Sequence, residues 1–358
     1  MRYGRFVLAL LCAGAPQVTS AAQTPQASLL VLAKSEQSLF IVDPATLAVL
    51  GQVPAGPDPH EVIASADGRI AYISNYGGGS GSTITVVDLV EQKALPIIDL
   101  GALRGPHGLA FVGGKLWFTA EGAKVIGRYD PTTRTIDWVM GTGQDRAHMI
   151  YVFPAMDRIV TSNVSSGTMT VIDAGMDQRG GPVPGGPSPS RPSSAQGAPS
   201  GAWRPVDRTN WTETVIRVGH GSEGFDVSPD GKEIWAANAE DGTISVIDVA
   251  SKTVTQTLDA NVRGANRLKF TLDGKRVFVS SLRGPDLAVF DARTRKEVKR
   301  VRIGQGAAGI LMPPDGLRAF VACTPDDYVA VIDVQTLEVT GKITAGKQPD
   351  GLAWALRK

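Results

Sequence analysis

The segment Glu233–Asp248 reads EIWAANAEDGTISVID and contains the pattern that decides the fold. An apolar run ends at Asn238, a polar loop containing Gly242 follows, and a second apolar run ends at Asp248. Short runs rich in β-branched and aromatic residues, bounded by turn residues, predict two consecutive strands. The final Asp favours a turn, because its carboxylate can accept hydrogen bonds from backbone N–H groups just ahead of it.

The end of this pattern, a β-branched or aromatic residue followed by Asp, recurs along the chain. The marks are Val42-Asp43, Val87-Asp88, Tyr129-Asp130, Ile172-Asp173, Ile247-Asp248, Phe290-Asp291 and Ile332-Asp333. Successive aspartates are 45, 42, 43, 75, 43 and 42 residues apart, so one interval contains an insertion. Four short strands per unit of roughly 40 residues are typical of a propeller blade. The repeat therefore predicts an all-β, seven-bladed β-propeller of four-stranded antiparallel blades.

The two ends of the chain predict how the ring closes. Pro349–Trp354 reads as the first strand of a blade, whereas the early strands near Leu29–Ala33 and Leu39–Val42 lack such a partner. Pairing the C-terminal strand with the N-terminal ones would close the ring and remove its exposed edges. The formal net charge of +1 gives no basic footprint for nucleic acid.

Residues 1–22 have the features of a signal peptide. Arg2 and Arg5 precede the apolar run Phe6–Ala15, and small residues end at a plausible cleavage point after Ala22. A retained membrane anchor is the alternative reading, but the run is shorter than the roughly 20 apolar residues that a bilayer span needs. Cleavage would make the protein periplasmic or secreted, and no later segment is apolar enough to cross a membrane.

The mature chain, residues 23–358, is predicted to be one propeller domain with an insertion at about 174–209. The stretch 180–201 is dominated by Pro, Gly and Ser, so it cannot bury enough apolar surface to fold alone. We interpret it as a flexible loop within one blade, because the repeat resumes its phase at Val215.

Three blades carry a motif that resembles the YVTN-repeat propeller family. The residues are Tyr72-Ile-Ser-Asn75, Val160-Thr-Ser-Asn163 and Trp235-Ala-Ala-Asn238, each followed by a loop and a strand that ends in Asp. The resemblance covers essentially the whole mature chain. It implies a propeller, and it leaves the function open because this family has varied roles.

Aligning the repeats brings seven residues to one equivalent position, where the chain enters the innermost strand of each blade. They are His60, His107, His148, Glu223, Asn266, Ala308 and Asp350. Ring geometry would point them at one mouth of the central channel, which makes that mouth the candidate site. The alternative is structural, since polar residues here can stabilise the turn before the strand. The fourth histidine, His220, lies three residues before its ring position and is assigned such a role.

The residue types at this mouth suggest two kinds of ligand. Imidazole and carboxylate groups suit Zn²⁺ or another first-row divalent ion, and they can also act as a general acid and base. The candidate metal ligands are His60, His107, His148 and Glu223. The arginines that precede ring positions, Arg104, Arg146 and Arg263, are candidates for holding an anion.

One segment, Gly105-Pro-His-Gly-Leu109, resembles the repeat of streptogramin lyases and related propeller lactonases. The resemblance implies that channel-facing residues, here His107 in particular, bind a metal or act on a lactone.

Three functions remain open at the level of the sequence. The first is a non-catalytic binding protein for a small molecule, a metal or another exported protein. The second is a metal-assisted lyase or lactonase acting at the same site. The third is a partner of a periplasmic redox or quinone system, although the sequence contains no Cys-x-x-Cys-His motif for covalent haem.

Overall fold

The computed structural model describes residues 24–175 and 210–358. The described residues form 28 strands in seven antiparallel four-stranded sheets, which are the blades of a β-propeller. The predicted fold class is therefore confirmed. The predicted signal peptide and nearly all of the predicted insertion lie outside the described residues. Within the two described ranges, no helix is long and apolar enough to cross a membrane.

Each blade runs from an innermost strand, which contacts the innermost strands of its neighbours, to an outermost strand at the rim. The innermost strands of blades 1 to 7 are β28 (Pro349–Leu356), β4 (Pro59–Ala64), β8 (Pro106–Val112), β12 (Ala147–Val152), β16 (Ser222–Val227), β20 (Ala265–Phe270) and β24 (Ala307–Leu311). The second strands are β1 (Ala27–Ala33), β5 (Ile70–Asn75), β9 (Lys115–Ala120), β13 (Arg158–Asn163), β17 (Glu233–Asn238), β21 (Arg276–Ser281) and β25 (Arg318–Cys323). The third strands are β2 (Ser38–Val42), β6 (Thr83–Asp88), β10 (Val125–Asp130), β14 (Thr168–Gly175), β18 (Thr243–Asp248), β22 (Asp286–Asp291) and β26 (Tyr328–Asp333). The outermost strands are β3 (Val49–Pro54), β7 (Lys93–Asp99), β11 (Thr135–Gly141), β15 (Asn210–Arg217), β19 (Thr253–Leu258), β23 (Glu297–Arg302) and β27 (Glu338–Ile343).

Blade 1 closes the ring with strands from both ends of the chain. The C-terminal strand β28 pairs antiparallel with β1, with Leu30 opposite Ala353 and Val31 opposite Leu352. The predicted closure by the last strand is therefore confirmed. With β28 in place, every blade of the ring has its innermost strand.

The hydrophobic core is divided into layers between blades. Seven clusters of buried side chains each combine residues from two neighbouring blades, one cluster for every pair around the ring. In β1, Leu30 and Leu32 pack in the layer shared with blade 2, whereas Leu29 and Val31 pack in the layer shared with blade 7. This alternation follows from the two-residue period of a strand, and it explains why these strands are apolar on both faces.

The repeated Asp has a structural explanation. In blade 1, Oδ1 of Asp43 accepts a hydrogen bond from the backbone N–H of Ala45 at 2.8 Å. Equivalent bonds hold the turns after Asp88, Asp130, Asp248, Asp291 and Asp333. Asp173 differs, because β14 continues to Gly175, and its carboxylate pairs with Arg158 and Lys252 instead.

The Asn of the repeated motif also makes the same bonds in each blade that has it. The Nδ2 of Asn75 donates to the hydroxyls of Thr83 and Thr85 on the third strand, at 3.0 and 2.9 Å. Asn163 and Asn238 bond the corresponding hydroxyls of their own blades. The motif thus ties the second strand to the third at the end that leads into the loop.

Candidate functional site

The seven ring positions lie around one cavity of about 330 Å³ at a mouth of the channel. The side chains at these positions are His60, His107, His148, Glu223, Asn266, Ala308 and Asp350, and all seven line it. His220 lies outside this cavity: its side chain is 80% exposed, and its Nδ1 contacts the Asp241 carboxylate at 3.1 Å. Three of the four imidazoles therefore share one cavity, and the fourth holds a rim loop.

A β-bulge places each ring residue. In blade 2, Pro59 pairs with Asn75 and Val62 with Ile73, so β4 has one extra residue between these pairs. The same shift occurs in the other blades at the start of the innermost strand. Because a bulge bends the strand and redirects its side chains, it turns the ring residue toward the channel.

The loops between second and third strands supply further groups that the sequence analysis missed. The residue directly after the second strand is Lys34, Tyr76, Leu282 or Thr324 in four blades, and all four line the cavity. In blade 3 the equivalent residue is Glu121, which is buried and contacts His148. An alignment of the residue after each second strand would have found this set, because both kinds of loop lie on the same face.

His148 is held between two carboxylates. The contact between its Nδ1 and Oε1 of Glu121 is very short. Its Nε2 lies 2.9 Å from Oε2 of Glu223, but the angles at these atoms are not those of a hydrogen bond. Burial alone would lower the pKa of His148, but the charges of Glu223 and Glu121 outweigh it and raise the pKa above its ordinary value. Burial likewise opposes ionisation of Glu223, yet His148, Arg267 and Arg146 lower its pKa to about 2. The trio is an imidazolium between two ionised carboxylates.

His107 is uncharged, whereas the neighbouring His148 is an imidazolium. It is 2% exposed, and its ring lies over that of His148 with the centroids 3.7 Å apart. Burial, together with the positive charges around it, holds the pKa of His107 well below its ordinary value. Its Nδ1 has no hydrogen-bond partner among the described residues. The cavity therefore contains a neutral imidazole with an unused nitrogen.

His60 is fixed by charged neighbours. Its Nε2 lies 2.8 Å from the Lys34 ammonium, which can only donate, and its Nδ1 lies 3.1 Å from the carbonyl oxygen of Asp58. His60 therefore accepts at Nε2 and donates at Nδ1. Lys34 also pairs with the carboxylates of Asp350 and Asp58, at 3.3 and 3.6 Å.

An ion pair crosses the channel beneath the mouth. Arg267 follows the ring position of blade 6 and pairs with Glu61, which follows the ring position of blade 2. Both side chains are largely buried, and the Arg267 guanidinium also donates to the carbonyl of Asn266 at 3.1 Å. Since blades 2 and 6 lie on opposite sides of a seven-membered ring, this pair joins the two walls.

The predicted anion-binding arginines divide by their position in the loop. Arg146, two residues before its ring position, lines the cavity. Arg104 and Arg263 lie three residues before theirs and do not line it. Their guanidinium groups donate instead to the carbonyls of Ser80 and Glu240, at 3.1 and 3.0 Å. One residue of offset thus turns the side chain from the cavity to the rim. Arg267 is a further charged residue of the cavity that the sequence analysis missed.

The predicted metal ligands are also divided. Among the described residues, one ligand atom from each of His107, Glu121 and His148 lies within 4.8 Å of the others. His60 and Glu223 are not members of this group, although both line the cavity. Separately, the Lys34 ammonium lies 2.8 Å from Nε2 of His60 and engages the lone pair that a metal would need.

The residue two before each ring position has a left-handed backbone in every blade. The residues and their φ angles are Asp58 (48°), Gly105 (70°), Arg146 (56°), Gly221 (69°), Gly264 (75°), Gly306 (58°) and Gln348 (55°). Glycine adopts this conformation freely, whereas other residues pay for it. Arg146 and Gln348 line the cavity, and Asp58 holds His60 and Lys34. The same conformation occurs at Leu47 and Leu337, in turns between third and outermost strands, so it is a feature of tight loops and does not by itself mark the site.

Replacing Gln348 by Gly tests whether this conformation is strained. We expect the free energy of unfolding to stay unchanged or rise by up to about 1 kcal/mol, because the relief of the left-handed backbone outweighs the added freedom of the unfolded chain. The matched change Gly264→Ala should lower it by about 1 kcal/mol or more, since the added Cβ would lie 2.7 Å from the Arg283 side chain. Urea denaturation measures the free energy of unfolding of both variants. If Gln348→Gly lowered it by more than about 1 kcal/mol, the backbone of Gln348 would not be strained.

A larger groove of about 660 Å³ lies between the outer strands of blades 2 and 3. Its lining is mainly apolar and includes Leu95, Ile97 and Ile136, with Asp99 and Arg134 as the charged members. Its other ionisable groups are Tyr72 and Tyr129, and its lining contains no histidine, so the mouth cavity is the candidate site.

The fold and this cavity define the chain as a seven-bladed β-propeller with a cluster of ionisable side chains at one end of its channel. A family model, the cytochrome D1 heme domain, matches residues 200–316, about a third of the chain. The matched part includes blades 5 and 6, and with them Glu223, Asn266 and Arg267. No curated protein sequence is significantly similar to the chain.

Solved structures share the fold at low identity. A functionally unknown protein from Desulfotomaculum acetoxidans is 12% identical, with a TM-score of 0.70, and the match covers 92% of this chain and 99% of that one. A candidate 6-phosphogluconolactonase from Bacteroides fragilis is 16% identical, with a TM-score of 0.67 and coverages of 95% and 99%. The dihydro-heme d1 dehydrogenase NirN in complex with DHE is 14% identical, with a TM-score of 0.59 and coverages of 93% and 66%. Identities this low show a common fold and no more.

Proposed function

We propose that the protein is an exported binding protein that holds a small molecule in the mouth cavity. The observation that carries this proposal is a pair of buried polar atoms without hydrogen-bond partners among the described residues. They are Nδ1 of His107 and Oδ1 of Asn266, which lie on blades 3 and 6 and line the same cavity. A buried polar group left unpaired costs about 1–3 kcal/mol, so a ligand that bonds both would recover this energy.

The cavity wall is polar on both sides. Blades 1 to 5 supply most of the ionisable groups, with His107 and Arg146 among them. Blade 6 supplies Asn266 and Arg267 beside the apolar Leu282. This arrangement suits a compact polar molecule that bonds the histidines at one end and Asn266 at the other.

The Arg267–Glu61 pair beneath the mouth favours access from one side. It spans the channel below the cavity, so a ligand would enter and leave at the mouth.

The export of the protein is proposed from the signal-peptide features of residues 1–22. Cleavage after Ala22 would place the protein in the periplasm or outside the cell. Mass spectrometry of the purified protein tests the cleavage, and a mass that includes residues 1–22 would contradict it.

Thermal-shift measurements test the binding proposal. The panel comprises small carboxylates, phosphate esters, lactones and haem, the last because of the family match, and all are run in EDTA. We expect at least one class to raise the melting temperature of the wild type and of His220→Ala, but not that of His107→Ala or Asn266→Leu. Ligands that stabilise all four proteins equally would bind elsewhere and would refute the mouth as the binding site.

A metal-assisted lyase or lactonase is the second candidate. The observation that favours it is the convergence of His107, Glu121 and His148 at the cavity. A metal there would polarise a carbonyl or activate water, while Arg146 could orient a carboxylate. Lactone hydrolysis that EDTA abolishes and a divalent metal restores would support it, whereas turnover insensitive to EDTA would exclude the metal-assisted reaction.

A further inference from the structure

We propose that His107, Glu121 and His148 bind one divalent first-row transition-metal ion, with its remaining coordination positions open to the mouth cavity. Their ligand atoms lie within 4.8 Å of one another, and all three residues are buried. Two imidazoles and one carboxylate, with an open position, form a ligand set typical of catalytic zinc and of other divalent metals. The inference shares with the proposed function the premise that this cavity is the functional site.

The unused nitrogen of His107 points independently to a ligand. Its Nδ1 is buried and unpaired among the described residues, although the ring is surrounded by polar groups. Water or a protein group normally satisfies such an atom. A neutral imidazole nitrogen with a free lone pair is the form that binds a metal.

The carboxylate of Glu121 is already oriented. The Tyr76 hydroxyl donates to its Oε2 at 2.7 Å, and Arg146 lies 3.5 Å from the same atom. This leaves Oε1 facing His148. Groups that fix a ligating carboxylate through its second oxygen are a regular part of metal sites, so Tyr76 serves as a positioning residue.

The charge around the mouth also favours a cation. Among the described residues of this cluster, five carboxylates oppose three basic side chains. The carboxylates belong to Asp58, Glu61, Glu121, Glu223 and Asp350, and the basic side chains are Lys34, Arg146 and Arg267. His148 is an imidazolium in the metal-free cluster, so a bound metal would displace its proton. With His148 then neutral, the cluster has two excess negative charges, which one divalent ion would balance.

The test is the binding of Zn²⁺ and Co²⁺ to EDTA-treated, full-length mature protein. Isothermal titration should give one Zn²⁺ per chain, and Co²⁺ should develop a visible absorption spectrum. His107→Ala and Glu121→Gln should each weaken Zn²⁺ binding by more than about 100-fold. Mutating residues that only hold the ligands in place already lowers metal affinity by about 10–100-fold, and losing a ligand should cost more. Tyr76→Phe should weaken it about tenfold and shift the Co²⁺ spectrum.

His220→Ala is the matched control, because this histidine is exposed and paired with Asp241 outside the cavity. It should bind Zn²⁺ as the wild type does, and circular dichroism should show that every variant is folded. A wild type that binds neither ion would overturn the inference, as would binding lost in His60→Ala but kept in Glu121→Gln. The small-molecule proposal is judged separately, since its panel is run in EDTA.

Discussion

A chain that lacks residues 349–358 is expected not to fold into a stable propeller. The deletion removes β28, which is the innermost strand of blade 1 and the strand that closes the ring. Its alternate residues belong to two core layers: Ala353 and Ala355 pack toward blade 2, and Leu352 and Trp354 pack toward blade 7. Both layers and one edge of β1 would become exposed. Leu352 and Trp354 alone would lose about 3–6 kcal/mol of burial, at about 1.5–3 kcal/mol for each large apolar side chain. Together with the side chains that they uncover, this is a large part of a typical domain's stability of about 5–15 kcal/mol.

Circular dichroism and urea denaturation would show this as a missing cooperative transition. Deletion of Lys358 alone is the control for a shortened C-terminus, and it should unfold as the full chain does. A circular permutant that joins the C-terminus to Ala27 provides a second control, because Leu356 already lies opposite Ala27 and the strand would be kept. If the truncated chain unfolded cooperatively near the wild-type midpoint, the ring could not depend on β28.

The architecture was predictable because its signals are local. Each Asp mark ends a third strand and accepts a hydrogen bond from a backbone N–H two or three residues ahead, so the mark and the structure it produces lie in one turn. The ring positions were equally predictable, since each follows from where its own strand begins. Asp173 is the exception, because its strand continues to Gly175 and no turn follows the Asp directly. The 75-residue interval after it was already visible in the sequence.

The missed groups depend on contacts between distant segments. Glu121 reaches His148 from a loop of the preceding blade, 27 residues away. Glu61 and Arg267 meet across the channel from positions 206 residues apart, and only the number of blades decides that they face each other. Arg104 and Arg146 look alike in the sequence, yet one residue of offset sends one to the rim and the other to the cavity.

Replacing His148 by Leu is expected to cause the largest loss of stability of any single substitution considered for the site. Leucine fills much of the imidazole's space but removes the charge between the buried carboxylate of Glu121 and the largely buried one of Glu223. Removing one member of a buried ion pair costs about 3–5 kcal/mol, because the remaining charges are left without compensation. Urea denaturation in EDTA would measure the loss in the metal-free protein.

Two comparisons isolate the electrostatic part of this loss. Adding Glu121→Gln and Glu223→Gln to His148→Leu should recover much of the stability, since removing all members of a buried ionic group is often close to neutral. Arg146 would lose these partners, but its side chain is 42% exposed and stays solvated. The exposed control, His220→Leu, should change stability by no more than about 0.5 kcal/mol. A triple variant that is less stable than His148→Leu alone would show that packing, and not charge, is what His148 contributes.

The stability difference between the wild type and the triple variant should also depend on pH. The pKa of His148 is raised above 6.5 in the folded state, so its contribution is complete below pH 6.5 and is lost as the pH rises through the raised value. The pKa of Glu223 falls from 4.5 to about 2, so its contribution is complete above pH 4.5 and is lost as the pH falls toward 2. The difference should therefore be greatest between about pH 4.5 and 6.5 and decline on both sides. Because the triple variant has no titrating group at these positions, a difference that stayed constant from pH 3 to 9 would mean that the imidazolium and its carboxylates do not stabilise the folded protein.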